Sequence, residues 1–239
     1  SDNITSSDVS TPQQLQAIAN AYAHVLAAAD AGVSPTAPDN LPTAADYAAL
    51  EITPLPAAGT ETQPPSALNL LNSVVDGLAQ NKVNTPAALS ELSGIVARLM
   101  DTAAGKTPTS PVGVADLERL GLTGVDTNSL PAVISAIAAS ADDGTGIDSV
   151  SQLQALADSA KRSQNIITQY ATTNGGLGIL TPGVDDYANI GLFNADGAPM
   201  VTTVNKNAIN AVLATAGVTG EQVKTPDLLR QVIGAYQSV

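Results

Sequence analysis

Carboxylates are the main reactive side chains this chain offers: 22 Asp and Glu against 9 Lys and Arg, with one His and no Cys. Two places set them close together. Asp142 and Asp143 adjoin in ADDGTGID (141–148), where Asp148 adds a third acid, and Asp185 adjoins Asp186 in TPGVDDYANI (181–190). Calcium takes carboxylate oxygen ligands, so the first stretch is weighed as a metal site, whereas Asp185 and Asp186 read as a helix N-terminus preference. The first stretch looks like a fragment of a calcium loop, yet it lacks the alternating acids and terminal Glu of an EF-hand, so a helix-to-helix turn is the simpler reading. Asp142, Asp143 and Asp148 are the metal candidates that remain, and no cofactor is expected. A glycosidase needs two carboxylates across a cleft. Sugar clefts commonly use broad aromatic platforms, which a chain with no Trp and a single Phe (Phe193) can hardly provide.

Other routes to catalysis are narrower still. His24, in AYAHVLAAAD (21–30), is the only histidine. Multi-histidine metal sites are therefore excluded, and a Ser-His-Asp arrangement would have to rest on this one residue; it reads as a structural histidine. The absence of Cys removes thiolate ligands, disulfides and cysteine nucleophiles. NGGLG (174–178) lacks the Lys-Ser/Thr of a phosphate-binding loop and a strand before it, so it reads as a helix stop followed by a linker. Asn3-Ile4-Thr5 matches a glycosylation sequon, a pattern too short to carry weight. FNADGAP (193–199) reads as a turn centred on Asp196-Gly197, either a local hairpin or a tight loop. The expectation is that the chain is not an enzyme.

Charge and hydropathy exclude further classes. A net charge of −13 repels the phosphates of nucleic acid and of anionic lipid, so neither is an expected partner. No apolar run approaches the length of a membrane-spanning helix, and membrane insertion is not expected. The opening SDNITSSDVS has neither a basic nor an apolar signal region; an export signal, if the protein is exported, is expected elsewhere in a longer polypeptide.

The elements that would position these residues repeat. TPGVDDYANI has counterparts in SPVGVADLERL (110–120) and LPTAADYAAL (41–50), and the aligned Asp46, Asp116 and Asp186 follow one another at intervals of 70 residues. Each aspartate stands three residues after Thr43, Gly113 or Gly183. It is therefore expected near N3 of a short helix, facing the partly positive helix end, with Tyr47, Leu117 and Tyr187 turned inward. A second start occurs four times, as STPQQLQAI (10–18), NTPAALSEL (84–92), DSVSQLQAL (148–156) and KTPDLLRQV (224–232). Thr11, Thr85 and Thr225 suit the N-cap and Pro12, Pro86 and Pro226 the first helical position; Ser149 and Val150 stand there in the third copy. Apolar residues then fall on one face: Leu15, Ile18 and Tyr22; Leu89, Leu92 and Val96; Leu153, Leu156 and Ala160; Leu229, Val232 and Tyr236. Between the two starts lies a middle helix, in SALNLLNSVVDGLA (66–79), SLPAVISAIAAS (129–140) and NAINAVLATAG (207–217), with Pro131 tolerated in the first turn.

The expected fold class is all-α: tandem three-helix-bundle-like repeats of about 70 residues in an elongated array. Residues 1–33 form a linker and an orphan long helix that ends a preceding repeat or caps the array; the repeats span 34–105, 106–176 and 177–239. Apolar residues make up 44% of the chain but aromatics only 3%, so cores are expected to be thin and made of Ala, Leu, Val and Ile. Insertions at 52–65 and 193–202 belong on the surface.

Runs such as DYANIGLF (186–193), DLERLGLTGVDTNSLPAVISAIAAS (116–140) and DSVSQLQALADSA (148–160) resemble the Ala-rich helical repeats of giant surface adhesins of Gram-negative bacteria, of the type I-secreted, Bap-like or RTX kind. The resemblance covers roughly residues 9–239; the second unit fits best, and the first and third depart in their inserted loops. It implies an extracellular protein of the bacterial cell surface, in which non-catalytic repeats extend an adhesive region and support cell attachment or biofilm formation, with neighbouring repeats of the same chain as partners. The calcium-binding nonapeptides of RTX segments are absent. The alternative readings are a helical protein-binding module and a subunit of a self-assembling extracellular filament or surface layer.

Overall fold

The computed structural model describes residues 10–32, 41–54 and 66–237. The sequon at Asn3 and most of the insertion at 52–65 lie outside them. Among the described residues the chain is all-helical, with ten α-helices and no strand beyond two isolated bridges. In order they are α1 (Pro12–Ala28), α2 (Ala44–Ala49), α3 (Ser66–Gly77), α4 (Pro86–Ala103), α5 (Val114–Arg119), α6 (Leu130–Ala138), α7 (Val150–Thr172), α8 (Val184–Asn189), α9 (Lys206–Leu213) and α10 (Pro226–Gln237). Short 3₁₀ turns, Gln80–Lys82 and Gly220–Val223, lead into α4 and α10.

Local chemistry explains where the long helices begin. The side-chain oxygens of Thr11, Thr85, Ser149 and Thr225 accept from the backbone N–H three residues on, at 3.1 to 3.3 Å. Each satisfies a donor that the first helical turn otherwise leaves open. The middle helices use a different device. Asp126 Oδ1 accepts from the backbone N–H of Asn128 and Ser129 at the start of α6, and Asn205 Oδ1 accepts from Thr202 N at the start of α9.

The short helices end alike. Ile52, Leu122 and Leu192 return their N–H to the carbonyls of Tyr47, Leu117 and Tyr187, at 3.0, 3.0 and 3.1 Å. The residue before each of them, Glu51, Gly121 or Gly191, has positive φ. This is a Schellman closure, which satisfies the last carbonyls and turns the chain so that the following apolar side chain is buried. All three of those apolar residues are buried. The NGGLG stretch stops α7 in the same way, with Asn174 and Gly175 at positive φ and Gly175 N bonded to Tyr170 O.

The chain divides into two compact units, residues 1–122 with 141–153 and residues 123–140 with 154–239. The first has a core of Tyr47, Leu50 and Ile52, Leu70, Leu71 and Val75 of α3, and Leu89, Ile95 and Leu99 of α4. The second centres on Val133 and Ile137 of α6, Ala160 and Ile167 of α7, Tyr187, Leu213, Leu229 and Ile233. Each fully buried aliphatic side chain contributes about 1.5–3 kcal/mol. Both cores are poor in rings, as the composition requires.

The long-helix face departs from the sequence expectation at the first and last copies. On α1 the buried residues are Ala21, Val25 and Ala28, while Leu15 is 56% exposed and Ile18 and Tyr22 are only partly covered. On α10, Leu229 and Ile233 are buried, Val232 is partly covered and Tyr236 is exposed. Helical periodicity correctly marked an apolar face, but burial needs a second element laid on it. On α7 the same face turns slightly, burying Leu153, Ala157 and Ala160 and leaving Leu156 partly covered.

Candidate functional site

Among the described residues the three aligned aspartates form a recurrent polar centre. Each carboxylate accepts from the N–H of its N-cap residue: Thr43 N to Asp46 Oδ2 at 2.8 Å, Gly113 N to Asp116 Oδ2 at 2.9 Å, and Gly183 N to Asp186 Oδ2 at 2.8 Å. At α2 the box is complete, since Thr43 Oγ1 accepts from Asp46 N; glycine at the other two caps leaves only the carboxylate half.

The same carboxylates also join their short helix to the long helix before it. His24 Nδ1 of α1 lies 3.2 Å from Asp46 Oδ2. Arg98 of α4 grips Asp116 through two parallel bonds, at 3.0 and 2.9 Å. Ser163 of α7 donates to Asp186 Oδ1 at 3.0 Å and accepts from Asn189 Nδ2. Burial pushes the Asp46 and Asp116 carboxyls up, but the bonds from Thr43 and His24 to the one, and from Arg98 and Gly113 to the other, outweigh it and hold both below the ordinary carboxylate value. Asp46 and Asp116 are therefore ionised acceptors with bonded oxygens, not carboxyls poised to exchange a proton.

Beneath them lies a second recurrent arrangement. Tyr47 donates its hydroxyl to Asn72 Oδ1 at 2.8 Å, and Asn72 Nδ2 donates to Pro42 O at 2.8 Å. Tyr187 donates to Asn210 Oδ1, and Asn210 Nδ2 to Pro182 O at 3.0 Å. All four side chains are buried. Burial raises both phenols well above the usual tyrosine range, assisted by the neighbouring Asp46 charge in one case and by Tyr170 and Asp186 in the other. Neither phenol is a candidate base. In the intervening stretch Leu117 takes the tyrosine position, and the buried residues of α6 are Ala132, Val133, Ala136 and Ile137, with no amide among them.

The sequence-predicted acids at 142–148 belong to a turn. Asp143 Oδ1 accepts from Thr145 N at 3.0 Å and from Thr145 Oγ1 at 2.7 Å, bonds that lower its pKa. Asp142 is exposed, and Asp148 uses its backbone N–H to bond Gln152. Among the described residues no group of three or more His, Asp or Glu is placed to hold a metal ion. Asp185 lies in the first turn of α8 beside the capping Asp186. FNADGAP closes as a tight turn, with Asn194 N bonded to Ala198 O at 2.8 Å.

In the second unit a shallow pocket of about 380 Å³ opens between α6, α7 and the end of α8, lined by Ala136, Ser140, Leu156, Ser159, Ala188 and Phe193 among others. No lining side chain is ionisable, so the pocket can offer apolar contact but no acid–base chemistry.

The sequence reading placed Asp46, Asp116 and Asp186 at N3 and turned the residues after them inward. It missed His24, Arg98 and Ser163 as their partners, and the tyrosine–amide pairs. A signal was present for two of these. His24 stands as far beyond Thr11 as Arg98 does beyond Thr85, so two basic groups share one helical register. No helix among the described residues is long and apolar enough to cross a membrane. Comparison of the chain with models of protein families, with curated proteins and with solved structures finds no match.

Proposed function

We propose that this chain is a non-catalytic spacer: three tandem helical units, each of a short, a middle and a long helix, in an elongated repeat region of a large secreted adhesin of the bacterial surface. In that role it holds an adhesive region away from the cell and supports attachment or biofilm formation. One observation carries the reading. The clasp formed by an N3 aspartate, its N-cap N–H and a donor on the preceding long helix occurs three times at 70-residue spacing. A carboxylate that joins one long helix to the next short helix is a device for linking units in series. Placement in an adhesin rests on the sequence resemblance, and the acidic charge suits a repetitive chain that must not self-associate.

Small-angle scattering of the chain in dilute solution, with and without calcium, tests this. Three units in line, whose long helices α4, α7 and α10 have 18, 23 and 12 residues and so run about 18 to 35 Å, give a radius of gyration near 30 Å or more, unmoved by calcium. A compact particle of this length has about 18 Å, and that value would sink the spacer reading. Contraction or stiffening on adding calcium would make Asp142, Asp143 and Asp148 a metal site.

The pocket beside Phe193 favours a second reading, a helical protein-binding module. Exchanging the chain for an unrelated helical rod of equal length within its parent protein separates the two: attachment survives if the chain is a spacer and is lost if it binds a partner.

A further inference from the structure

Leu15, Leu89, Leu153 and Leu229 occupy the same place relative to the caps Thr11, Thr85, Ser149 and Thr225. Three of them are 0% exposed and Leu15 is 56% exposed. For two of the three helices that carry the buried leucines, the structure gives the closely packed neighbour. α3 lies on α4, and α9 with its 3₁₀ turn lies on α10. Just before α4, α7 and α10 an aliphatic residue two positions ahead of the cap is also buried: Val83, Ile147 and Val223.

The surface of α1 differs from that of every other long helix. PQQLQAIANAYAHVLAA contains no Asp, Glu, Lys or Arg, whereas α4 carries Glu91, Arg98 and Asp101, α7 Asp158, Lys161 and Arg162, and α10 Asp227 and Arg230. A solvent face without formal charge on a chain of net charge −13 has the composition of an interface core, from which charged side chains are depleted.

The sequence ahead of α1 says what belongs there. Ile4 to Pro12 (ITSSDVSTP) matches Val218 to Pro226 (VTGEQVKTP), sharing Thr5 with Thr219, Val9 with Val223, Thr11 with Thr225 and Pro12 with Pro226. That second stretch is the link from a middle helix into the long helix it covers. We propose that the exposed face of α1 around Leu15 and Ile18 is the seat of a middle helix and its following turn from one further unit, placed ahead of α1 in the same polypeptide. The proposal rests on the reading of the chain as successive units and names the surface through which they join. The match of residues 4–12 to a link between a middle and a long helix is what argues for this occupant rather than a second copy of the chain.

The chain has no cysteine, so a single introduced thiol reports its own burial. A copy of residues 66–82, which spans α3 and its turn, is inserted between Asp8 and Val9 of the full chain, and the rate of thiol labelling is measured for Leu15→Cys with and without the insert. The expected result is rapid labelling in the chain alone and labelling slowed by roughly tenfold or more in the extended chain, since reaction then requires local opening. Equal rates overturn the proposal. Protection in the unextended chain that grows with protein concentration also overturns it, in favour of a second copy. Leu89→Cys in the extended chain keeps this failure distinct from failure of the unit reading. Fast labelling there, with helix content intact by circular dichroism, means that α3 does not cover α4 and the unit reading itself fails; protection there with fast labelling at Leu15→Cys removes this proposal alone.

Discussion

At the residue scale, the buried tyrosines and their amides act as pairs. Tyr47 and Asn72, and Tyr187 and Asn210, each bond one another and tie a proline carbonyl into the core. Tyr47→Phe removes the donor and leaves the Asn72 oxygen buried without its partner, a loss of about 1–3 kcal/mol. Because Leu117 and the aliphatic face of α6 meet the same structural need without polar groups, Tyr47→Phe with Asn72→Leu should cost less than the two single changes added together, by about 1 kcal/mol. Urea unfolding of the four proteins measures that coupling. Asp116 makes a second residue-level prediction. Its folded pKa lies below the ordinary 3.8, so it contributes stability that is complete above the unfolded pKa and is lost as pH falls through the folded one. The urea midpoint should therefore drop below about pH 4, and Asp116→Asn should flatten that drop while lowering the midpoint at neutral pH. An unchanged acid limb would show that the Arg98 clasp adds nothing to folding.

At the scale of elements, starts and stops were legible to different degrees. Thr-Pro pairs and N3 aspartates are local signals, because a cap is satisfied within one helical turn. The Schellman stops were harder to see, since Glu51 occupies the position held by Gly121 and Gly191, and a glutamate does not advertise positive φ. The two glycines also differ in a way that only packing reveals. A Cβ at Gly121 meets open space, whereas a Cβ at Gly191 would overlap the Ser135 carbonyl of α6. Gly121→Ala should cost about 1–2 kcal/mol, from the left-handed backbone alone. Gly191→Ala carries that cost and a backbone clash as well, and should be clearly worse. Equal losses in thermal unfolding would mean that α8 and α6 do not meet as closely as the structure has them. The outer half of α1 taught a related lesson: Leu15 obeys the helical period, and periodicity cannot say whether a neighbour lies on that face.

At the scale of the whole molecule, the net charge of −13 is large beside the few ion pairs found among the described residues, which include Arg98 with Asp116, Arg119 with Glu91 and Lys224 with Glu221. Self-repulsion then outweighs attraction between exposed partners, whose bridges are individually weak. Raising salt from about 10 mM to about 150 mM, which shortens the screening length to about 8 Å, should raise the thermal midpoint. A falling midpoint would show that the ion pairs dominate.

The sequence by itself determined the helices, because caps, prolines and apolar period act within a few residues of the chain. It also settled the lack of Cys chemistry and of multi-histidine sites, which is a matter of inventory. Only the tertiary structure decided which donors meet Asp46, Asp116 and Asp186, because His24, Arg98 and Ser163 lie on other helices and reach the carboxylates through folding. The same holds for the pairing of Tyr47 with Asn72, which loops of unequal length place at a different sequence separation from Tyr187 and Asn210. Burial is a property of two surfaces, and one surface alone is written in any helix.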